Sequence, residues 1–456
     1  MKRKVLALLL ALVLVAALFA GCSSDGSSSA GASGSSSQTA SDGSGTSEPS
    51  GEIVTIEYVS WEPGEENNPI IQQFMDENPD IKVNVTILPD SNNTMEALDI
   101  IAMGGGEMDV WPMQSGSQFQ RMQKGMLLST DEYLQADGFD MEASFGSYAE
   151  WAQYGDSYYG VPGTASVGMM FYNKDMFDEA GVEYPTENWT IEEYMEKARA
   201  LTSGSGGSKT YGTFQNLFPE EWGVFGAQTQ SLYGADGLSN FTMENADFIT
   251  SLELRKTLDD EGVQLPYGQI VSNFTFSSIE FLSGRAAMTL GYSWVVRDMK
   301  DTENYPFDFN VGVCYFPRIS ADAPAKPSQV AVGFMGIPAT ATNPEAAWRF
   351  IRYYAEHGGI QTAQNGNIPT YMPAYSNEMI DAFIEGSPLT REQGEMFFAT
   401  DMHTFTSVPT GTAAGEYGSI IEEEVAQYFT GEKDLESAVT SIKTRADEAI
   451  QKELDG

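Results

Sequence analysis

Two residue types that usually carry chemistry are nearly missing. The 456-residue chain has two histidines, His357 and His403, and two cysteines, Cys22 and Cys314. So few leave no His pair at metal-binding spacing, no disulfide framework and no G-x-S-x-G nucleophile elbow with a matching base. Positive charge is also scarce: 24 Lys and Arg stand against 65 Asp and Glu, a formal charge of −41. Nucleic acid and anionic membrane surfaces are therefore disfavoured partners. Most of this acidity reads as a solvated surface. The one long apolar run, Val5 to Ala20, is shorter than the roughly 20 residues a spanning helix needs.

That run follows Lys2, Arg3 and Lys4 and ends at the small residues Ala20 and Gly21, the three-part layout of an export signal. Phe19-Ala20-Gly21-Cys22 resembles a bacterial lipobox, which implies cleavage before Cys22 and lipid attachment there. Removing residues 1–21, with three positive and no negative charges, takes the charge to −44. Ser23 to Ser50 is almost wholly Ser, Gly, Ala, Thr and acidic residues, a leash that cannot bury a core. Cys314 is then without a partner, and Val311, Val313, Tyr315 and Phe316 around it predict a buried strand.

The remaining chain is long enough for two or three cores. It predicts β-α-β-α-β at the start: strands at Glu52–Val59, Val83–Ile87 and Asp109–Trp111, with helices beginning at Asn68-Pro69 and at Thr94. In an open parallel sheet, ligands bind beyond the carboxyl ends of the strands. That edge holds Trp61 and Glu62 after the first strand, and Gln114, Ser115 and Ser117 after the third. Tyr159 to Gly181 then reads as a bend at Gly160 and Pro162, a strand over Val167–Tyr172, and a helix opened by Asn173 and stopped by Gly181. This is where one lobe hands the chain to another.

Farther on, Thr190 and Glu193 fit a capping box, Tyr211–Gln215 a strand, Glu220–Tyr233 a helix and Ala287–Tyr292 a strand. Ser293 is placed to cap a helix holding Trp294, and Ala413 to Leu454 predicts two amphipathic helices parted at Thr430-Gly431. Gly204 to Thr210, GSGGSKT, lacks the Gly before Lys209 that a phosphate loop carries, and predicts a turn.

Over nearly the whole exported chain these blocks resemble the extracellular solute-binding proteins of bacterial ABC importers, the class that includes maltose-type sugar and oligosaccharide binders. The residues that carry the likeness are Phe74, Asn78, Pro79 and Ile81-Lys82-Val83; Tyr172-Asn173-Lys174-Asp175; Gly284, Ala286-Ala287-Met288 and Ser293-Trp294; and Pro344-Glu345-Ala346-Ala347-Trp348. The resemblance implies an α/β, two-lobe periplasmic-binding-protein type II fold with hinge-crossing strands. Its lobes would run 52–163 with 317–367, and 164–316 with 368–456, behind a signal peptide 1–21 and a lipidated linker 22–51. It also implies a monomer, a permease partner and no cofactor, metal or covalent chemistry.

A neutral sugar needs aromatic plates and planar polar groups. Trp294 resembles the stacking aromatic of maltose-type binders, with a core Trp as the alternative, and Ser166 falls where some relatives place a carboxylate. Glu221 and Trp222 form a sugar-facing cluster or a helix-start pair, and Glu416 and Tyr417 match a late aromatic contact of the family. A non-sugar solute, a two-carboxylate glycosidase and a polysaccharide adhesin are the other functions compatible with this composition.

Overall fold

A computed structural model describes residues 53–61, 64–88, 94–104, 107–113, 115–216 and 219–455. The export signal, Cys22, the linker, Glu62 and Gln114 lie outside these. In chain order the strands are β1 (Val54–Ser60), β2 (Ile81–Ile87), β3 (Trp111–Met113), β4 (Gln153–Tyr154), β5 (Ser157–Tyr158), β6 (Gly160–Asn173), β7 (Met288–Tyr292), β8 (Val311–Cys314), β9 (Pro327–Gly336), β10 (Ile368–Pro369) and β11 (His403–Phe405).

The first unit is the expected βαβ. Asn68 Oδ1 accepts from the Ile70 N–H at 3.2 Å and Pro69 occupies the first helical position, so a helix starts at Pro69 and runs to Glu77. It buries Ile70, Ile71 and Phe74. β1 and β2 then pair in parallel from Val54 with Ile81 to Ser60 with Ile87, and Val110 bridges to Tyr58 in the same sense.

β6 joins this lobe to the next. Its first half, Gly160 to Val167, pairs antiparallel with β9, which also carries β3 and, in parallel, β11. Its second half pairs with β7 over Gly168–Tyr172 and with β8 over Met170–Asn173. One strand thus belongs to two sheets. The expected bend at Gly160 and Pro162 is not a break before the strand. β6 already runs there, and the irregularity is a register shift between Pro162 and Ala165, where Pro162 has no N–H to offer the ladder. A Cβ at Gly160, whose φ is 156°, would lie 2.2 Å from the Met335 carbonyl oxygen, so this position needs glycine.

Two expectations fail locally. Glu220–Tyr233 is not a helix but two short 3-10 turns, Pro219–Trp222 and Gly226–Gln228. Gly223 and Gly226 interrupt helical propensity, and the backbone at Gly226 approaches Phe248 so closely that a Cβ would meet its ring at 2.6 Å. Tyr211–Gln215 forms only single bridges, Tyr211 to Ala286 and Phe214 to Thr289. By contrast, Glu193 accepts from the Thr190 N–H at 2.8 Å, and the two C-terminal helices are Ala414–Thr430 and Leu435–Leu454.

The cores follow the sheets. The largest cluster, including Phe74, Trp111, Phe145, Phe171 and Phe350, extends along β6. A second gathers Phe177, Trp189, Tyr194, Phe225 and Phe316, and a third packs Trp222, Phe241 and Phe248 against Tyr417 and Ile442. Ile319 and Ala323 belong to the second cluster, and the Ile191 N–H donates to Arg318 O at 2.9 Å. Among the described residues no helix is long and apolar enough to cross a membrane.

Candidate ligand-binding groove

Successive side chains on a strand alternate, so Gln329, Ala331, Gly333 and Met335 of β9 share one face. Two cavities adjoin over that face. The first, about 620 Å³, includes Gly333, Met335 and Thr164 in its lining, and the second, about 260 Å³, includes Gln329 and Ala331. Ser166 pairs with Ala331, and its Oγ lies 3.4 Å from Oδ1 of Asn367, a lining residue of the first cavity, though Ser166 itself lines neither. Ala331 and Gly333, successive small residues on that face, line the second and the first cavity respectively, and the two neighbouring cavities are together called the groove.

Aromatic rings and amides wall the first cavity: Tyr58, Trp61 and Tyr354 with Asn67, Asn68, Gln361, Gln364, Asn365 and Asn367. Arg297 is the only cation among its lining residues, and its guanidinium is already 3.1 Å from Asp298. Glu65 is buried and accepts from Asn68 Nδ2 at 3.1 Å. Gly366 has φ 77°, and a Cβ there would meet the Arg297 backbone nitrogen at 3.0 Å. Glycine therefore lets the 365–367 turn reach the start of the helix Trp294–Lys300.

The second cavity lies between the loop after β3 and the helix Ala414–Thr430. Ser115, Ser117, Trp222, Ser407 and Glu422 line it, with no cation among the lining residues. The Ser115 Oγ accepts from the Val332 N–H at 3.2 Å, tying the loop to β9. Glu422 is exposed overall, yet partial desolvation of its carboxyl by the surrounding groups pushes it above the usual range.

Of the residues singled out from the sequence, Trp61 is in the first cavity, Ser115, Ser117 and Trp222 are in the second, and Ser166 is paired with the lining residue Ala331. Glu221, Trp294, Glu416 and Tyr417 line neither cavity, and Glu62 and Gln114 lie outside the described residues. Trp294 is half-buried, its ring stacked on Tyr292 at 6.4 Å, and it is not a lining residue of either cavity; Arg297, one turn on, is. Glu221 is buried, holding the Asn216 N–H and Nδ2 at 2.5 Å each. Tyr417 is fully buried in the third core, its hydroxyl 2.7 Å from Ser239 Oγ and 3.0 Å from Leu232 O, while Glu416 is exposed. The amides at 361–367 and Gln329 were missed. The small-residue alternation in Gln329–Met335 was the available signal for the floor.

The arrangement offers ring faces, planar donors and acceptors, and little positive charge, which suits an uncharged polyhydroxylated molecule. Neither histidine lines the groove: His403 Nε2 is 2.7 Å from the Gln228 carbonyl, and His357 lies against Tyr353. Among the described residues no cluster of His, Cys, Asp or Glu is arranged to hold a metal.

Comparison with known proteins agrees with this geometry. The profile of the bacterial extracellular solute-binding proteins matches residues 61–361. The chain belongs to this family. Among curated relatives, it is 22% identical over 421 residues to the sn-glycerol-3-phosphate-binding periplasmic protein of Shigella flexneri, covering 88% of this chain and 93% of the relative. It is 24% identical over 278 residues to the multiple sugar-binding protein of Streptococcus mutans, covering 58% and 62%. Solved structures share the fold: a Listeria monocytogenes ABC substrate-binding protein in complex with cycloalternan has a TM-score of 0.73 at 22% identity, covering 88% of this chain and 99% of the other. Maltose-bound MalE3 of T. maritima has 0.69 at 18%, covering 86% and 98%. The solute-binding fold is thus α/β with two lobes, and β6 is a strand that crosses between them.

Proposed function

We propose that this solute-binding protein is the lipid-anchored receptor of an ABC importer for a neutral carbohydrate, an oligosaccharide by the length of its groove. The observation that carries the reading is the first cavity, where four aromatic residues (Tyr58, Trp61, Phe334 and Tyr354) and six amides surround about 620 Å³ with one cation, itself paired. Sugar rings stack on such plates and their hydroxyls match such amides. A phosphorylated ligand, which the glycerol-phosphate-binding relative raises, calls for several charge-assisted donors, and this lining has only Arg297, already beside Asp298.

In this reading Cys22 carries the lipid, and the 22–51 leash lets a monomeric domain reach outward from the extracellular membrane face. The lobes comprise roughly 52–163 with 327–367, and 164–326 with 368–456. The return point moves from 317 because Ile319 and Ala323 pack in the second cluster. Sugar captured between open lobes draws them together about β6 and β9, and the closed form is what the permease recognises. Neither hydrolysis nor any cofactor takes part.

A thermal-shift screen of residues 51–456 against neutral mono- and oligosaccharides, sugar phosphates, polyols and peptides tests this. A ligand at 100 times its Kd stabilises by about 2.7 kcal/mol. The reading expects a shift with one neutral sugar series, largely lost in Trp61→Ala. A shift with phosphates alone, or hydrolysis of the sugars, would overturn it.

A further inference from the structure

Gln329 lines the second cavity with a side chain that is both deeply buried and incompletely satisfied. It is 1% exposed, its Nε2 donates to Ser407 Oγ at 2.9 Å, and its Oε1 has no hydrogen-bond partner among the described residues. A buried amide oxygen left bare costs about 1–3 kcal/mol, so such an atom calls for a donor. Gln329 borders the second cavity, whose other polar groups are serine hydroxyls and Glu422, and whose apolar wall includes Trp222 and Pro409.

We infer that the second cavity is a separate sugar subsite in which Gln329 Oε1 accepts a hydroxyl of an additional, uncharged unit, making Gln329 a determinant of ligand length. The inference rests on the carbohydrate reading above and deepens it. Three features support it together. The floor residues Ala331 and Gly333, successive positions on one face of β9, line the second and the first cavity respectively, which puts the two side by side along the strand. The six residue steps from Gln329 to Met335 span about 20 Å, more than one ring fills. The lining presents acceptors and a carboxylate without a cation, so it admits hydroxyl donors and rejects an anionic end. A ligand too short to reach Gln329 leaves Oε1 bare, and one long enough removes that penalty. Affinity should therefore step up at a particular chain length.

The test is calorimetry of residues 51–456 with the shortest neutral sugar that binds, with its homologues longer by one and two units, and with a homologue ending in a uronate. Each is repeated for Gln329→Met, which removes the acceptor at similar volume, and for Ala331→Met, which plugs the floor without removing a hydrogen bond. The wild type should bind one of the longer homologues roughly tenfold more tightly than the shortest, and both variants should shrink that gain by about the same factor. The uronate-ended homologue should show no gain. If affinity does not change with length, if Gln329→Met weakens all lengths equally, or if the uronate binds best, the subsite assignment is wrong while the receptor reading stands. If no sugar of any length binds, the receptor reading falls and the subsite with it.

Discussion

Gly168 sits where β6 passes from one sheet to the other, and substituting alanine there tests whether the crossing strand is packed as described. A Cβ at this position would lie 2.7 and 2.9 Å from two ring carbons of Phe316 and 3.0 Å from the Gln329 carbonyl oxygen. Carbon atoms in contact settle at about 3.5–4.0 Å, so the ring must retreat by roughly 1 Å. Phe316 is 1% exposed in the second core and has nowhere empty to go. The carbonyl belongs to the β9 backbone and cannot rotate away. Overpacking of this kind costs about 1–3 kcal/mol. For a domain of this length, about 2 kcal/mol corresponds to a fall of roughly 2 to 4 °C in Tm. The assay is thermal and urea unfolding of Gly168→Ala, Phe316→Leu and the double variant. Phe316→Leu should destabilise alone by removing ring contacts, yet it should relieve the crowding, so the double variant should be more stable than the sum of the two changes. Strict additivity, or a Gly168→Ala protein as stable as the wild type, would refute the close approach of Phe316 to the crossing strand.

Other outcomes follow from the same packing. Tyr417→Phe removes a buried hydroxyl held by Ser239 and Leu232; it should cost about 1–2 kcal/mol of stability and leave sugar affinity unchanged in calorimetry. Partial desolvation raises the Glu422 pKa above its ordinary 4.5, so the folded chain holds that proton more tightly than the unfolded one. Its stabilising share is full below that value and lost as pH rises through the raised pKa. Glu422→Gln should therefore gain stability over the wild type at about pH 7 and lose that advantage near pH 4 in urea titrations. Burial likewise pushes up the Cys314 thiol, the only one in residues 51–456, so iodoacetamide should label it only on unfolding; rapid labelling of the native protein would contradict its strand position.

The parts of this architecture that were readable from sequence are those fixed by short-range signals. Asn68-Pro69 carries its own helix start, Thr190 and Glu193 their capping box, and the apolar run at Val167–Tyr172 its strand. The segment 219–228 was misread because its apolar spacing is helical while Gly223 and Gly226 serve tertiary contacts with Ser407 and Phe248. The site divides in the same way. Trp61, Ser115 and Ser117 follow strands at the ligand edge, which position along the chain discloses. Tyr417 was misleading because the same helix carries exposed Glu416 and a ring buried in the third core, and only the packing of two helices decides which is which. Asn365, Asn367 and Gln329 reach the groove through a glycine turn and a distant strand register, and no local pattern announces either.

The measurement that bears most directly on the central claim is hydrogen–deuterium exchange of residues 51–456, with and without the neutral sugar found by thermal shift. The account predicts slowed exchange around Trp61, Gly163–Val167, Ala331–Met335 and Gln364–Asn367, on both sides of the crossing strands at once. Protection confined to one lobe, or lying away from β6 and β9 although the sugar binds, would contradict a carbohydrate held in the groove between the lobes.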